Sequence, residues 1–348
     1  MPSKRIAAAA AALLLGTAAA LTMLEVVVRV AGITPPLPLQ YGDNVPDDVI
    51  GYVRRPGSTA EGRSQSGEFT FRYQHNALGF RDRDHSEHKA VDMVRIVALG
   101  DSFTYGTGAD FEETYLARVE LQLNRRPGRH RPVEIIKLGL PRQYPLVERL
   151  TLQRYGLRFA PDIVMVALLP NDVIDSLRER GSTCVSASGY LVPCAALAWR
   201  EAAVWLYLHS AVGRFVLQRW SSDGPSAADG ARWDQVFADD GPYESGWRAV
   251  ERELGRMQDR ARQQGAAFVV VAVPQKPPWR DLHAYAETRL GRWSAAHGAV
   301  FVPTLEALRA ASTSRVLYWD RDGHCTPAGY AVIADAIVAG LTEHGLVP

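Results

Sequence analysis

The stretch RIVALGDSFTYG, residues 95–106, decides the fold, because a buried-looking apolar run ends there in a turn that carries a serine. Arg95 to Leu99 is predicted as a short β-strand, and the turn leaves its C-terminal end. Open α/β sheets place their ligands at this end of their strands. We therefore expect Ser102 to be presented at a site. Its hydroxyl is a poor nucleophile at neutral pH until a neighbouring base accepts the proton.

A candidate base lies in the C-terminal stretch DRDGHCTPAGY, residues 320–330. Two aspartates precede His324, and either is a candidate for orienting its ring. Asp322 is the predicted partner, because a tight turn at Gly323 brings its carboxylate to the histidine. Asp320 is the reserve.

Two more polar positions follow predicted strands. Gly139 comes after the apolar run 133–138, and Asn171 comes after the run 162–169. A backbone N–H of glycine and a side-chain amide of asparagine are suitable donors for the oxyanion of an acyl-transfer intermediate. Each residue also has an ordinary interpretation as a turn former or helix cap.

The order of Ser102, Gly139, Asn171 and His324 along the chain resembles the four motifs of the SGNH (GDSL-type) hydrolase family, over about residues 93–345. The resemblance implies Ser102 as nucleophile and His324 as general base. It also implies an oxyanion hole made by the N–H groups of Ser102 and Gly139 and the Asn171 amide. The implied fold is a flavodoxin-like, three-layer α/β/α sandwich.

Two positions depart from the family pattern. Leu169 stands where the third motif usually has a glycine, two residues before Asn171. Arg321 stands three residues before His324, where the last motif often has its aspartate. Some members resemble this chain in an Asp-x-His spacing, which again favours Asp322 as the triad acid.

The periodicity of the chain predicts the same architecture. Apolar runs at about 95, 133, 163, 267 and 300 alternate with helical patterns at about 112, 145, 250 and 285, and a last helix is predicted at Pro327–His344. This alternation is typical of a five-stranded parallel sheet with helices on both faces. The predicted organisation is an N-terminal signal anchor or signal peptide at 1–33, an extended lead-in with short strands at 34–92, and a catalytic domain at 93–345.

An insertion at about 176–245 elaborates this domain. Apolar positions recur at helical spacing in Trp199–Trp220, which predicts a helix packed against the core; the functional alternative is a lid over the site. Cys184 and Cys194 bracket a turn-rich stretch and are predicted to form a disulfide. Cys325 is left unpaired. It is a poorer nucleophile candidate than the serine, because neighbours in an extended loop point in different directions.

The N-terminus carries a targeting segment. Lys4 and Arg5 precede the uncharged stretch 6–24, which as a helix is about 28 Å long and just able to span a bilayer. We favour an uncleaved anchor over a cleaved signal peptide, because the helical pattern continues through Glu25 and Arg29, four apart and predicted to pair. The catalytic domain is then periplasmic and anchored to the inner membrane, or secreted if the segment is cleaved.

Composition excludes several classes of function. The 348 residues are 47% hydrophobic and 22% charged, which suits a globular enzyme, and the net charge of +1 argues against a nucleic-acid partner. No metal-site spacing or phosphate loop occurs, so no cofactor or metal is expected.

The predicted reaction is serine-dependent hydrolysis of an acyl ester. The resemblance implies O-acetyl or other O-acyl groups on envelope carbohydrate as the leading substrate, with lipid esters second. The alternatives are an O-acyltransferase with the same triad and a non-catalytic envelope binding or scaffold protein that keeps the fold.

Overall fold

The computed structural model describes residues 2–33, 42–64, 66–126, 131–177, 183–194, 197–220, 241–277, 279 and 281–347. Most of the described side chains of helix α1 (Pro2–Val30) are exposed to solvent, and Val28 is a buried one, at 6% exposure. Its segment Ala8–Val30 is long and apolar enough to cross a membrane, by length and composition. The predicted pair forms in its last turns, with Arg29 Nη2 2.6 Å from Glu25 Oε1.

The lead-in segment forms two antiparallel hairpins. Strand β1 (Asn44–Asp47) pairs with β2 (Gly51–Arg54), and β3 (Thr59–Arg63) pairs with β4 (Thr70–Gln74). Exposed and buried residues alternate along β4, so one face of this hairpin packs on the rest of the molecule.

The central sheet has five strands, all parallel. They are β5 (Val94–Leu99), β6 (Val133–Lys137), β7 (Ile163–Leu168), β10 (Ala267–Ala272) and β11 (Val300–Pro303), numbered along the chain. Their spatial order is β6-β5-β7-β10-β11, and all five strands agree with the sequence prediction. The chain order reverses between β5 and β7, and Leu99 lies level with Val166 there. The residues that follow these two strands therefore meet at the switch point, where such sheets bind ligands.

Helices cover both faces of the sheet. After α1, the helices of the described chain are α2 (Ser102–Tyr105), α3 (Tyr115–Arg125), α4 (Pro145–Thr151), α5 (Asn171–Asp175), α6 (Leu197–His209), α7 (Ala211–Trp220), α8 (Glu244–Gln263), α9 (Asp281–His297), α10 (Leu305–Ser312) and α11 (Pro327–Glu343). Side chains of α3, α10 and α11 join Ile96 and Ala98 in one core, and those of α4, α8 and α9 join Val97 and Leu99 in the other. The three-layer α/β/α prediction is thus confirmed.

Two helical predictions need correction. The helix expected at about 112 begins at Tyr115, because Phe111–Glu113 forms a 3₁₀ turn that Asp110 opens with a capping box. Helix α10 was not predicted at all, since its eight residues are too short for a clear apolar period.

The insertion differs most from its prediction. A disulfide joins Cys184 and Cys194 at the hairpin of β8 (Thr183–Val185) and β9 (Leu191–Pro193). The single helix expected over Trp199–Trp220 is two helices, because the Ser210 hydroxyl accepts from Gly213 N–H at 2.9 Å and starts α7 anew. The prediction that this segment packs against the core is also wrong for one face of α6, where the Trp199 side chain is 80% exposed.

Candidate active site

Ser102 begins α2 directly after β5, and the turn before it requires glycine. Gly100 has φ +152°, and a Cβ there would lie 2.0 Å from Thr104 Oγ1. Asp101 then caps α2 by accepting a 2.9 Å hydrogen bond from the Phe103 N–H. The turn leaves Ser102 partly exposed at the switch point, as the sequence predicts.

His324 and Asp322 complete a hydrogen-bonded chain with the serine. The His324 Nε2 lies 2.8 Å from Ser102 Oγ, and the opposite nitrogen, Nδ1, contacts Asp322 Oδ1. The histidine and aspartate side chains are 18% and 15% exposed, so both are shielded yet reachable. The Phe103 ring packs against the imidazole with centroids 5.0 Å apart. The geometry allows His324 to accept the serine proton while Asp322 holds the ring.

The alternative residues lie elsewhere. Asp320 is 90% exposed and pairs with Lys276 Nζ at 2.8 Å, away from the imidazole. The turn at Gly323, with φ +84°, returns the Asp322 carboxylate to His324 instead. Cys325 is fully buried, and burial raises the pKa of its thiol, which suppresses the thiolate that nucleophilic attack needs.

The two expected oxyanion donors border the same helix. A Cβ on Gly139 would lie 2.6 Å from the Cβ of Thr104, so only glycine permits this close approach to α2. The Asn171 amide nitrogen lies 3.5 Å from Asp101 Oδ2, next to the serine. Gln275 Nε2 donates to Asn171 Oδ1 at 3.1 Å. Because this bond holds the oxygen of the Asn171 amide, the NH₂ group of Asn171 points away from Gln275. Gln275 has no motif around it, so sequence reasoning missed this contact.

The missing glycine of the third motif has a structural explanation. Leu169 does not adopt a positive φ, so the backbone here does not require glycine. Its side chain is 3% exposed in the core, and its N–H donates to Asp172 Oδ2 at 2.8 Å. The loop before Asn171 is therefore held by Asp172.

Three carboxyl groups are buried beside the site: Asp101, Glu148 and Asp172. Burial raises the pKa of Asp101 to about 6, against the opposing hydrogen bond from Phe103. Burial and mutual repulsion raise the pKa values of Glu148 and Asp172 well above their ordinary range. Neither Glu148 oxygen has a hydrogen-bond partner among the residues described. At least one of these three carboxyl groups therefore stays protonated near neutral pH.

The lead-in segment contacts both ends of the site, which the sequence did not indicate. Glu68 accepts hydrogen bonds from the N–H groups of Arg321 at 2.9 Å and of Asp322 at 2.8 Å. Arg81 is buried and donates to the carbonyl of Gly106, which ends α2, at 2.6 Å. No local sequence pattern marks these contacts, because Arg321 lies 253 positions after Glu68 along the chain.

The parallel sheet with this hydrogen-bonded serine, histidine and aspartate at its switch point is the architecture of an SGNH-type esterase. The family described as GDSL-like Lipase/Acylhydrolase matches residues 98–332. The chain belongs to the GDSL-like lipase/acylhydrolase family.

Several solved structures are similar to part of this chain at low sequence identity. TesA is 13% identical with a TM-score of 0.43, covering 72% of this chain and 98% of its own. Axe2, an acetylxylan esterase from Geobacillus stearothermophilus, is 13% identical with a TM-score of 0.44 over 73% and 96%. LAE5, an alpha/beta hydrolase from the metagenome of Lake Arreo, is 14% identical with a TM-score of 0.45 over 74% and 98%. No curated protein sequence matches the chain.

Proposed function

We propose that Ser102, His324 and Asp322 are the catalytic triad of this esterase. The observation that carries the proposal is the 2.8 Å contact from His324 Nε2 to Ser102 Oγ, with Asp322 on the opposite ring nitrogen. His324 removes the serine proton as Ser102 attacks the ester carbonyl, and it then protonates the leaving alkoxide. Asp322 holds the ring and offsets the charge of the imidazolium.

The oxyanion of the tetrahedral intermediate is assigned to three donors: the N–H groups of Ser102 and Gly139 and the amide of Asn171. Leu138 and Leu140 donate their N–H groups to Ala98 and Gly100, whereas the Gly139 N–H makes no hydrogen bond to the part of the chain that is described. A donor left open in this way is available to a substrate. Water attack on the acyl-enzyme then releases the acid and regenerates Ser102.

The proposed substrate is an O-acetyl or other O-acyl ester of envelope carbohydrate, with lipid esters second. This choice rests on the family resemblance together with the extracytoplasmic location that the N-terminal segment supports. Lys4 and Arg5 precede the apolar segment Ala8–Val30, and positive charge stays on the cytoplasmic side, which sends the rest of the chain across the inner membrane. We propose that the helix remains as an anchor, because Glu25 and Arg29 at its end contact the insertion.

We also propose that the lead-in, 34–92, contributes to the function of the catalytic domain, 93–345. Glu68 is assigned as a positioning residue for Asp322, and Arg81 as a positioning residue for the turn that carries Ser102. The segment 1–33 is assigned as the anchor.

The test uses the full-length protein in detergent with p-nitrophenyl acetate. Ser102→Ala is expected to lower kcat by about 10⁴-fold or more, because the nucleophile acts as a unit with its base. Ser314→Ala, on an exposed serine, is the matched control and should leave the rate unchanged. Release of p-nitrophenol by Ser102→Ala at the wild-type rate would reject the triad.

A glycan acceptor added to the same assay separates hydrolysis from transfer. A hydrolase forms free acetate whether or not the acceptor is present, whereas a transferase forms an acetylated glycan in its place. A wild-type protein that releases no more p-nitrophenol than Ser102→Ala would be a non-catalytic binding protein.

A further inference from the structure

Helix α6 presents an apolar stripe to solvent. Trp199, Ala202, Trp205 and Leu206 recur at helical spacing on one face and are all exposed, the two tryptophans at 80% and 61%. Large aromatic side chains normally bury most of their surface, and a contiguous exposed group of them marks an interaction site.

The C-terminal end of this stripe is tied to the end of the membrane-crossing helix. Arg29 Nη2 donates to the carbonyl of His209, the last residue of α6, at 3.1 Å. Glu25 accepts from the Ser210 hydroxyl at 2.8 Å and from the N–H groups of Ala211 and Val212 at 2.7 and 3.0 Å. One carboxylate thus caps the first turn of α7, a position that favours negative charge. These contacts set the α6–α7 corner at the level of residues 25–29.

The end of α1 is also the end of its apolar segment, Ala8–Val30. If this segment spans the inner membrane, the corner between α6 and α7 lies at the outer face of that membrane. The exposed stripe of α6 starts at this corner. Trp199 is ten residues before His209, or about 15 Å along the helix axis. Tryptophan is enriched at the interface between membrane and water, because its ring is apolar and its N–H reaches the headgroup region.

We propose that the α6 stripe docks on the outer leaflet of the membrane, as a second, in-plane contact beside the anchor. The proposal rests on the anchoring put forward above. A lipid surface fits better than a second copy of the chain, because α6 ends at the contacts with Glu25 and Arg29, beside a helix that is itself exposed over its apolar length. The catalytic domain is then held at the membrane by two elements and loses most of its freedom to rotate about the anchor.

The experiment uses full-length protein in vesicles of phosphatidylcholine and phosphatidylglycerol. Single cysteines at Trp199→Cys and Trp205→Cys are labelled with a polarity-sensitive fluorophore, and nitroxide-bearing lipids are added as quenchers. Leu14→Cys, within α1, reports on the anchor. Val316→Cys is the matched control, since Val316 is an apolar residue exposed to 75% outside the insertion. Cys325 is buried and stays unlabelled.

We expect blue-shifted emission at both tryptophan positions and stronger quenching by nitroxides near the headgroups than by deep ones, at a depth of about 5–10 Å. The control should show neither, and each variant should hydrolyse p-nitrophenyl acetate at the wild-type rate. Quenching at Leu14→Cys without quenching at the two tryptophan positions would overturn the docking and leave the anchor standing. Loss of quenching at all three positions would overturn both. Emission shifts that follow protein density, without lipid quenching, would assign the stripe to a second copy.

Discussion

Replacing Glu68 by alanine tests whether the lead-in segment positions the triad. The Glu68 carboxylate accepts from the N–H groups of Arg321 and Asp322 and from the Ser66 hydroxyl at 2.6 Å. Partial burial opposes its ionisation, but these hydrogen bonds outweigh burial and lower the pKa of Glu68. Glu68 is therefore charged at neutral pH and holds the loop that carries Asp322.

The size of the effect follows from the number of bonds lost. A hydrogen bond to a charged acceptor contributes about 1.5–3 kcal/mol, and the solvent around Glu68 reduces this to about 1 kcal/mol for each of the two N–H donors. If most of this ordering holds Asp322 against His324, the barrier rises by about 1.4–2 kcal/mol. We expect kcat to fall by about ten- to thirtyfold.

The assay measures kcat and KM with p-nitrophenyl acetate, together with the rate of inactivation by a fluorophosphonate. KM should stay unchanged, because Glu68 is not proposed to touch the substrate, and inactivation should slow in parallel with kcat. Glu61→Ala, which removes an exposed carboxylate from the neighbouring strand β3, is the matched control. Equal kcat values for Glu68→Ala and Glu61→Ala would refute the positioning role.

Three further predictions concern the site. Asp322→Asn should lower kcat by orders of magnitude through the wrong histidine tautomer, whereas Asp320→Asn should have a much smaller effect; a larger loss in the latter would transfer the role of triad acid. Asn171→Ala should lose about 10²- to 10³-fold in kcat, and a change confined to KM would show uniform substrate binding instead. Glu148 has a raised pKa in the folded state, so its ionisation destabilises the fold as pH rises above its unfolded value. Glu148→Gln should therefore gain stability over wild type as the pH rises above about 5 in urea unfolding, and a stability difference that does not change with pH would contradict the raised pKa of Glu148.

The sheet was predictable because its determinants are local. Each of the five strands is a short apolar run between turns, and its parallel pairing follows from the helices between the runs. The positions of Ser102 and Asn171 at the site were predictable for the same reason, since parallel strands end at one edge. Helix α6 was only half predictable. Its period was visible, but its exposed face was not, because burial depends on which other elements lie nearby.

The sequence by itself determined the strands, their order of occurrence and the polar residues at their ends, since these follow from hydrophobic periodicity and turn chemistry along a few consecutive residues. Only the tertiary structure shows which of Asp322, the predicted partner, and Asp320, the reserve, contacts His324: Asp322 lies on the imidazole, whereas Asp320 pairs with Lys276. It alone also brought Glu68 to the loop of Asp322, across 254 positions of sequence. Contacts between residues so far apart in the sequence depend on how the whole chain packs, and no local sequence pattern predicts them.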